Sequence, residues 1–506
     1  MELGSAVDID LDALTVEAVQ AGFRAGHFTA EQLTRACFAR IERDNAKYNA
    51  LIFLNPEAIG DARKIDERRA AGEALGPLAG VPVVIKDPMD MVGFPTTAGW
   101  AQLYSKTGGV DLMPERDAPV VARMRRAGAI LLGKTNVPVL SHTGSHANDS
   151  WAGPTINVVM PDRVPGGSSA GTASAVASAM AVMGLAEETG GSIQNPASAQ
   201  NLVGIKPTIG LVPNAGVVPL SGNRDVVGPI ARNVRDAALC LDALAGYSSE
   251  DPKTLASVGR QPTGGYTSAL DGNALRGKRI GLYGPGWRAQ PLSDEAIALY
   301  ERVKKELTSL GAVLIDDPFA GSGFAELRQP TAPLEHFDAR GLESIPYDLE
   351  KYLQRLGKHA PLQTFSAFAE ATKGDDVFGP DGVLRYLHSL ADFRAALANP
   401  SLPPEMPEFV ELKARYLSIF DAVMTAQRLD ALVYPQMRNE LPLLHGKEVI
   451  QETTVGEINI AGLPGIAVPA GFYQSGSPFG LIFVGRQWDE AALLGYAYAY
   501  EVGTAR

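Results

Sequence analysis

The chain has 506 residues, of which 45% are hydrophobic and 20% are charged, a composition typical of a globular protein with a large core. The net charge of −12, with no basic cluster, argues against binding to nucleic acid or to an anionic membrane surface. The two cysteines, Cys37 and Cys240, are too few for a disulfide framework and favour a reducing, cytoplasmic location. No basic region precedes an apolar run at the N-terminus, so we expect no signal peptide.

The N-terminal part of the chain predicts helices first and then an alternation of helices and strands. Apolar residues recur at helical spacing in residues 15–24, 29–44 and 56–71. Residues 81–85 predict a short buried strand that ends at Lys86. A helix over 117–127 then precedes a buried strand over 128–133, with Lys134 in the loop beyond. This alternation is typical of an α/β fold.

Lys86 stands out because it ends an apolar strand, and lysine is seldom buried in proteins. The ordinary interpretation is that its alkyl stem lies along the strand while the ammonium group reaches water. On this stretch alone, that interpretation is favoured.

Two glycine-rich turns, Gly166-Gly167-Ser168 and Gly190-Gly191-Ser192, bracket an uncharged run over residues 164–186. Glycine pairs allow positive φ and let a ligand approach the backbone amides closely. The run is rich in Gly, Ser and Ala and poor in Leu, Ile and Phe, which favours a close-packed interior helix over a membrane span. Two such turns joined by small residues indicate a binding or catalytic site.

Single-motif interpretations of the first turn are weaker. Residues 167–171 match the G-x-S-x-G elbow of α/β-hydrolases, but the preceding residues 160–165 make a poor strand. A phosphate-binding loop would need a following G-K-[ST], which is absent. His142 and His146 stand four residues apart but lack the intervening glutamate of a zinc protease, so we expect no metal site.

The rest of the chain continues the α/β pattern around one different segment. Its predicted elements are helices over residues 232–245, 294–310 and 490–501, and strands over 278–283, 312–315, 430–435, 458–469 and 480–485. Residues 319–428 hold less glycine and more aromatic residues, and their helical patterns are interrupted by prolines. Because the α/β pattern resumes afterwards, we interpret residues 319–428 as an insertion packed on the main domain.

These separated motifs, taken in order, resemble the amidase signature family of serine hydrolases. The specific part runs from Gly166 through Thr189-Gly190-Gly191-Ser192-Ile193 to Gly204-Ile205-Lys206-Pro207-Thr208, supported by residues 78–87, 128–136 and 228–236. The resemblance implies one domain over 1–506, an α/β fold with a mixed, twisted sheet covered by helices on both faces. Within it, 77–245 would be the signature core and about 319–428 a variable helical insertion over the active site.

The resemblance also implies roles for individual residues. Ser192 would be the nucleophile, Ser168 a bridging serine on a cis peptide bond, and Lys86 the base. A lysine can act as a base only when its amine is neutral, and burial favours the neutral form by lowering the pKa. This revises the interpretation of Lys86 as a solvent-reaching side chain. The remaining implied site residues are Thr189, Gly190 and Gly191 as the oxyanion hole and Ser141 as a substrate contact.

The sequence departs from the family next to the second turn. Ala186-Glu187-Glu188 stands where the family usually has Gly-Ser-Asp or Gly-Thr-Asp, and Gln194 stands where it usually has arginine. The three implied catalytic positions are unchanged. The departures put in doubt any substrate inferred from family members with the usual arginine.

The resemblance implies an amidase that cleaves amides, or related aryl amides, carbamates or esters, through an acyl-enzyme and without a metal or organic cofactor. Aromatic residues of the insertion favour a small, neutral, apolar or aryl substrate, with no nucleic acid or membrane as partner and a homo-oligomer left open. These aromatic residues are Phe324, Phe337, Tyr347, Tyr352, Phe365, Phe368, Phe378, Tyr386 and Phe393. Packing of the insertion onto the sheet explains most of them equally well. Two alternatives remain, the glutamine-hydrolysing subunit of a tRNA-dependent amidotransferase and a non-catalytic anion-binding protein.

Overall fold

A single sheet of eleven strands organises the chain in the computed structural model, which describes residues 9–328 and 341–505. The strands lie side by side in the order β1-β3-β2-β4-β6-β5-β10-β11-β9-β7-β8. They are β1 (Leu51–Leu54), β2 (Pro82–Lys86), β3 (Ile130–Thr135), β4 (Met183–Glu188), β5 (Val203–Lys206), β6 (Val226–Ala231), β7 (Arg279–Leu282), β8 (Val313–Ile315), β9 (Ala431–Pro435), β10 (Gly465–Phe472) and β11 (Pro478–Val484).

Helices connect and cover these strands. Within the described residues they are α1 (Val16–Ala25), α2 (Ala30–Tyr48), α3 (Ala58–Ala70), α4 (Pro119–Arg126), α5 (Ala170–Ala177), α6 (Gln194–Ala199), α7 (Val234–Leu244), α8 (Asp294–Ser309), α9 (Ile345–Arg355), α10 (Phe365–Thr372), α11 (Ala391–Ala398), α12 (Pro407–Ala426), α13 (Val455–Ala461) and α14 (Glu490–Thr504). No helix in this described part of the chain is both long and apolar enough to cross a membrane.

The sheet is mixed, and its parallel part positions the site. Strand β2 pairs in parallel with β3 on one side and with β4 on the other, whereas β4 pairs antiparallel with β6. The carboxyl ends of parallel neighbours lie at the same edge of a sheet. Lys86, the last residue of β2, therefore lies close to Glu187 and Glu188 at the end of β4.

Alternating side chains of the central strands fill two separate cores. On β10, Ile466 and Val468 belong to one apolar cluster while Ala467 belongs to another, as the two-residue period of a strand requires. Helices α1, α2, α7 and α14 contribute to the first cluster, and α6, α12 and α13 to the second. The predicted single α/β domain, with helices on both faces of a mixed sheet, is confirmed.

A third apolar cluster contains or packs against six of the nine aromatic residues named above, which are Tyr352, Phe365, Phe368, Phe378, Tyr386 and Phe393. Rings from α9 to α11 pack there against the segment 98–140, as shown by Phe368, whose ring centroid lies 5.8 Å from that of Trp100. The Trp100 indole N–H donates to Asp375 at 2.8 Å, which ties the insertion to the same segment. Packing thus accounts for these rings. Phe337 lies outside the described residues.

Two predictions of local structure are wrong. The uncharged run 164–186 is not one helix, because α5 ends at Ala177, Ala179 adopts a left-handed φ of 55°, and β4 follows. Residues 458–461 are the end of helix α13, which stops at Gly462 with a φ of 70°, and not the start of a strand. In both places a short buried apolar run fits either a helix or a strand by its pattern alone.

Smaller differences concern strands β1, β3, β5 and β6. The predictions did not include β1, β5 or β6, and β3 continues through Lys134, which is therefore a strand residue and not a loop residue. Cys37 and Cys240 are free and buried.

Candidate active site

The centre of the site is the Lys86 ammonium group, which has no exposure to solvent. Its Nζ atom lies 2.6 Å from the Ser168 Oγ and 3.1 Å from the Glu187 backbone carbonyl oxygen. The Glu187 carboxylate forms an ion pair with the same Nζ atom at 2.5 Å. Lysine, serine and carboxylate thus meet where β2 and β4 end side by side.

Ser168 and Ser192 belong to two turns that are joined by Ser169. The peptide bond between Gly167 and Ser168 is cis, as the resemblance implies. The Ser169 hydroxyl lies within hydrogen-bonding distance of two backbone carbonyls, that of Ser192 at 2.5 Å and that of Glu187 at 3.2 Å. The structure therefore brings Lys86, Ser168 and Ser192 into one region, although they lie far apart in the sequence.

The first turn has no room for a side chain at Gly167. A Cβ atom placed there would lie 2.8 Å from the Thr143 carbonyl oxygen and 3.0 Å from that of His146. In the second turn, Gly191 adopts a φ of 93°, a conformation that favours glycine. The glycines of both turns are thus required by close packing in one case and by backbone conformation in the other.

Burial dominates the electrostatics of Lys86. Desolvation lowers the pKa of its ammonium group, and the negative charges of Glu187, Asp225 and Glu188 oppose that change. Asp225 is itself buried and accepts hydrogen bonds from the Thr189 hydroxyl and from the Ser221 backbone N–H. Burial, with the nearby Glu187 carboxylate, raises the pKa of Asp225 to about 7.

The second acid of β4, Glu188, contacts the turn that carries Ser192. Its Oε2 accepts from the backbone N–H groups of Ile193 at 2.7 Å and Gln194 at 3.1 Å. Its Oε1 accepts from the side-chain amides of Gln194 and Asn459, the latter at 2.8 Å. The two departures from the family pattern, Glu188 and Gln194, are therefore bonded to each other and hold the start of α6.

A cavity of about 90 Å³ opens beside Ser192. Most of its wall consists of hydroxyl groups, backbone atoms and the cation of Arg224. The lining residues are Ser141, His142, Thr143, Gly144, Thr189, Gly190, Ser192, Leu220, Arg224 and Leu342. The predicted substrate contact Ser141 is in this wall, and its hydroxyl lies 3.4 Å from the Glu187 carboxylate. None of the described aromatic rings of the insertion lines the cavity.

Sequence reasoning missed two charged residues of this site, Glu187 and Arg224. The signal for Glu187 was present in the adjacent pair Glu187-Glu188, but only the second acid was interpreted. Arg224 lies in an irregular segment before β6 and is 3% exposed. Its place in the cavity wall follows from the pairing of β6 with β4, which no local pattern indicates. Among residues 9–328 and 341–505, no group of three or more His, Cys, Asp or Glu side chains is arranged to hold a metal ion.

Known proteins with similar sequences match nearly the whole chain. The A subunit of glutamyl-tRNA(Gln) amidotransferase from Chloroflexus aurantiacus is 33% identical over 505 residues, covering 97% of both chains. The protein of the same name from Moorella thermoacetica is 33% identical over 508 residues, covering 98% of both. Among solved structures, native peptide amidase from Stenotrophomonas maltophilia superposes with a TM-score of 0.81 at 32% identity, covering 98% of both chains.

These relatives overturn the expectation about partners. A small neutral apolar or aryl molecule as sole partner, with no nucleic acid, is wrong, since relatives matching over nearly their full length are amidotransferase subunits named for glutamyl-tRNA(Gln). Net charge misled here because it is a sum over the whole molecule and does not describe any one surface. The apolar preference also rested on aromatic rings that pack the insertion, whereas Arg224 lines the cavity.

The family model described as Amidase matches residues 32–494. The relatives and the superposed structure agree with that match over 97% or more of the chain. The chain therefore belongs to the amidase signature family and is a hydrolase of carbon–nitrogen bonds other than peptide bonds.

Proposed function

We propose that the protein hydrolyses an amide through an acyl-enzyme on Ser192, with Lys86 acting as the base through Ser168. The observation that carries this proposal is the 2.6 Å contact between the buried Lys86 Nζ and the Ser168 Oγ, next to a cavity lined by Ser192. A serine hydroxyl becomes a strong nucleophile when a neighbouring base takes its proton. Burial supplies that base by lowering the pKa of Lys86.

In the proposed reaction, each proton moves along one path that joins Ser192, Ser168 and Lys86. The Ser192 Oγ attacks the carbonyl carbon while its proton passes to the Ser168 Oγ, and the Ser168 proton passes to the Lys86 Nζ. When the carbon–nitrogen bond breaks, the proton returns by the same path to the leaving nitrogen. Water then attacks the Ser192 ester and gives a proton to Lys86 through Ser168. As the bond between the carbonyl carbon and the Ser192 Oγ breaks, that proton returns through Ser168 to the Ser192 Oγ, and the acid is released.

Backbone amides of the second turn are suited to stabilise the oxyanion. Within residues 9–328 and 341–505, the N–H groups of Gly190, Gly191 and Ser192 donate to no backbone or side-chain acceptor. Thr189 and Gly190 line the cavity beside Ser192. Such donors commonly contribute about 3–4 kcal/mol of transition-state stabilisation. We therefore propose the backbone amides of Gly190 and Gly191 as the oxyanion hole, together with Thr189, which lines the cavity beside them. Ser141, also in the cavity wall, is proposed as a substrate contact.

The experiment is covalent labelling with a fluorophosphonate, which reacts with activated serines. Ser192→Ala should abolish labelling and reduce amide hydrolysis by about 10⁴-fold or more, because it removes the proposed nucleophile. The matched control is Ser178→Ala, a buried serine at the end of α5 that does not line the cavity. Labelling that persists on Ser168 in the Ser192→Ala protein would exchange the proposed roles.

Glutamine hydrolysis within an amidotransferase is the second candidate function, favoured by the two amidotransferase relatives. Peptide amidase instead points to an amidated peptide as substrate. Comparing kcat/KM for L-glutamine and for a peptide amide on the purified chain separates the two, and carbamates and esters can be measured in the same series. A marked preference for glutamine would favour the amidotransferase role.

We also propose that residues 319–428 form a variable cover over a core of residues 77–245. Leu342, from the described part of that segment, lines the cavity together with Ser192, which supports this division. A cytoplasmic location stays a prediction.

A further inference from the structure

Glu187 contributes a carboxylate to the lysine at a position where the family usually has serine or threonine. Glu187 and Lys86 are 1% and 0% exposed, and the Glu187 Oε2 lies 2.5 Å from the Lys86 Nζ. The Ser141 hydroxyl donates to the same carboxylate oxygen at 3.4 Å. The ion pair is therefore sealed from water and borders the reacting groups.

The contacts of Lys86 match the needs of a charged ammonium group. An ammonium group has three N–H donors, and three acceptors surround Nζ: the Ser168 Oγ, the Glu187 carbonyl oxygen and the Glu187 carboxylate. A neutral amine could still donate to the two Glu187 oxygens and accept from the Ser168 hydroxyl, so it is the negative charge of the Glu187 carboxylate that favours the ammonium form. A buried opposite charge within about 4 Å favours the charged form of a lysine, commonly by about 1–3 in pKa.

We propose that Glu187 is a positioning residue that holds the Lys86 ammonium in its charged form, so that hydrolysis requires a higher pH than it would without this carboxylate. This inference rests on the proposed role of Lys86 as the base, because only the neutral amine can accept the Ser168 proton. In return, the carboxylate fixes the Nζ atom within reach of Ser168. Glu187 would thus set the lower pH limit of activity without touching the substrate.

Two other carboxylates near Lys86 also favour its charged form, so their effect has to be distinguished from that of Glu187. Asp225, before β6, and Glu188, on β4, both favour the charged lysine, and Asp225 has a pKa raised by burial to about 7. Arg224 is the cation of the adjoining cavity wall. Among these groups Glu187 is the one that forms an ion pair with Lys86, so its removal should have the largest effect.

The test measures the pH dependence of fluorophosphonate inactivation in the wild-type protein and in Glu187→Gln, which keeps the side-chain size and removes the charge. The midpoint of the acidic limb should lie at least about one pH unit lower in Glu187→Gln. Relative to each protein's plateau, reactivity well below both midpoints should then rise about tenfold for each pH unit by which the midpoint moves. Glu187→Asp, whose carboxylate is one methylene shorter, should move the midpoint in the same direction by less.

Two controls keep this result separate from the rest of the argument. The change in midpoint should persist in an Asp225→Asn background, in which the Asp225 titration is absent. If the wild-type protein shows no labelling on Ser192 at any pH, the proposed function fails. If Ser192 is labelled but the midpoint in Glu187→Gln and Glu187→Asp stays in place or moves upward, the inference about Glu187 is overturned while the proposed function stands. A purely structural role would lower the plateau and leave the midpoint unchanged.

Discussion

Two buried lysines on neighbouring strands, Lys86 on β2 and Lys134 on β3, differ little in burial or charge. Both are 0% exposed, and both pair with a buried carboxylate, Lys86 with Glu187 at 2.5 Å and Lys134 with Asp87 at 3.3 Å. Desolvation lowers the pKa of each, and the carboxylate partner opposes it. By burial and electrostatics alone, either lysine would qualify as a base.

The difference lies in what else each ammonium group contacts. Lys134 donates to the Pro95 carbonyl at 2.9 Å and to the Thr96 hydroxyl at 3.3 Å, and neither residue lines the cavity. Lys86 instead contacts Ser168, and the next residue, Ser169, bonds through its hydroxyl to the backbone carbonyl of Ser192. A lowered lysine pKa therefore does not identify a catalytic group. What distinguishes Lys86 is its contact with a hydroxyl in the turn that packs against Ser192 and the cavity.

Replacing Lys86 should have the largest effect on activity. Lys86→Arg should lower kcat by about 10⁴-fold, nearly as much as Lys86→Met, because a guanidinium group stays protonated at any working pH. Steady-state kinetics and thermal unfolding of both variants separate lost chemistry from lost fold. A near-native rate in Lys86→Arg would rule out the general-base role.

The corresponding change at Lys134 should affect stability and spare the chemistry. Lys134→Met leaves Asp87 buried without its cation, which should cost about 3–5 kcal/mol of unfolding free energy. Labelling of Ser192 in the folded fraction should stay within a few-fold of wild type. Urea unfolding measures the first effect, and Lys134→Met/Asp87→Asn should recover part of it. A stable variant that no longer labels would show that the two lysines are not distinct in function.

A third buried lysine, Lys206, extends the comparison to a site without a carboxylate partner within bonding distance among the described residues. Its Nζ donates to the carbonyls of Pro207 at 3.0 Å and Leu463 at 2.6 Å, and burial lowers its pKa to about 8. In the unfolded chain lysine titrates at about 10.4, so between these values the unfolded state binds the extra proton and stability rises with pH.

Over that range Lys206 should add about 3 kcal/mol to the dependence of stability on pH. Lys206→Met should lack this contribution, so the wild-type stability minus that of the variant should increase from about pH 7 to about pH 10. Urea unfolding at one-unit steps of pH measures the difference. A constant difference would mean that the Lys206 ammonium keeps its charge throughout.

Of the substitutions at Lys86, Lys134, Lys206 and Glu188, Glu188→Gln should have the smallest effect. The amide would put a donor where two backbone N–H groups of the Ser192 turn converge, so kcat should fall about tenfold, or about 1.4 kcal/mol. The acidic limb should move less than in Glu187→Gln, since Glu188 forms no ion pair with Lys86. Complete loss of activity with the fold preserved would instead make Glu188 a catalytic acid or base.

Sequence patterns predicted the structure correctly where a pattern is typical of only one kind of element. Strands β2, β7 and β9 are apolar runs bounded by turn residues, and the two glycine turns carry enough of the family motif to indicate Lys86, Ser168 and Ser192. The run that contains α5 and β4 could not be divided, because a buried strand and a buried helix have the same apolar composition.

The ion pair between Glu187 and Lys86 could not be predicted for a different reason. It depends on β4 lying in parallel register beside β2, which links residues about 100 positions apart. Two adjacent acids also divide their roles, since Glu187 meets the lysine while Glu188 meets the turn. Only the strand pairing decides which acid does which.

The order of strands has a consequence for the synthesis of the protein. Strand β5 pairs on one side with β6 and on the other with β10, and Lys206 of β5 lies opposite Gly465, roughly 260 residues later. At about 5–20 residues per second, a ribosome needs roughly 13 to 50 seconds to make that interval. Until β10 is made, the edge of β5 that it covers has no partner strand, and such edges promote pairing with other chains. We therefore expect the yield of folded enzyme in a cell to depend on translation speed and on chaperones that protect this edge.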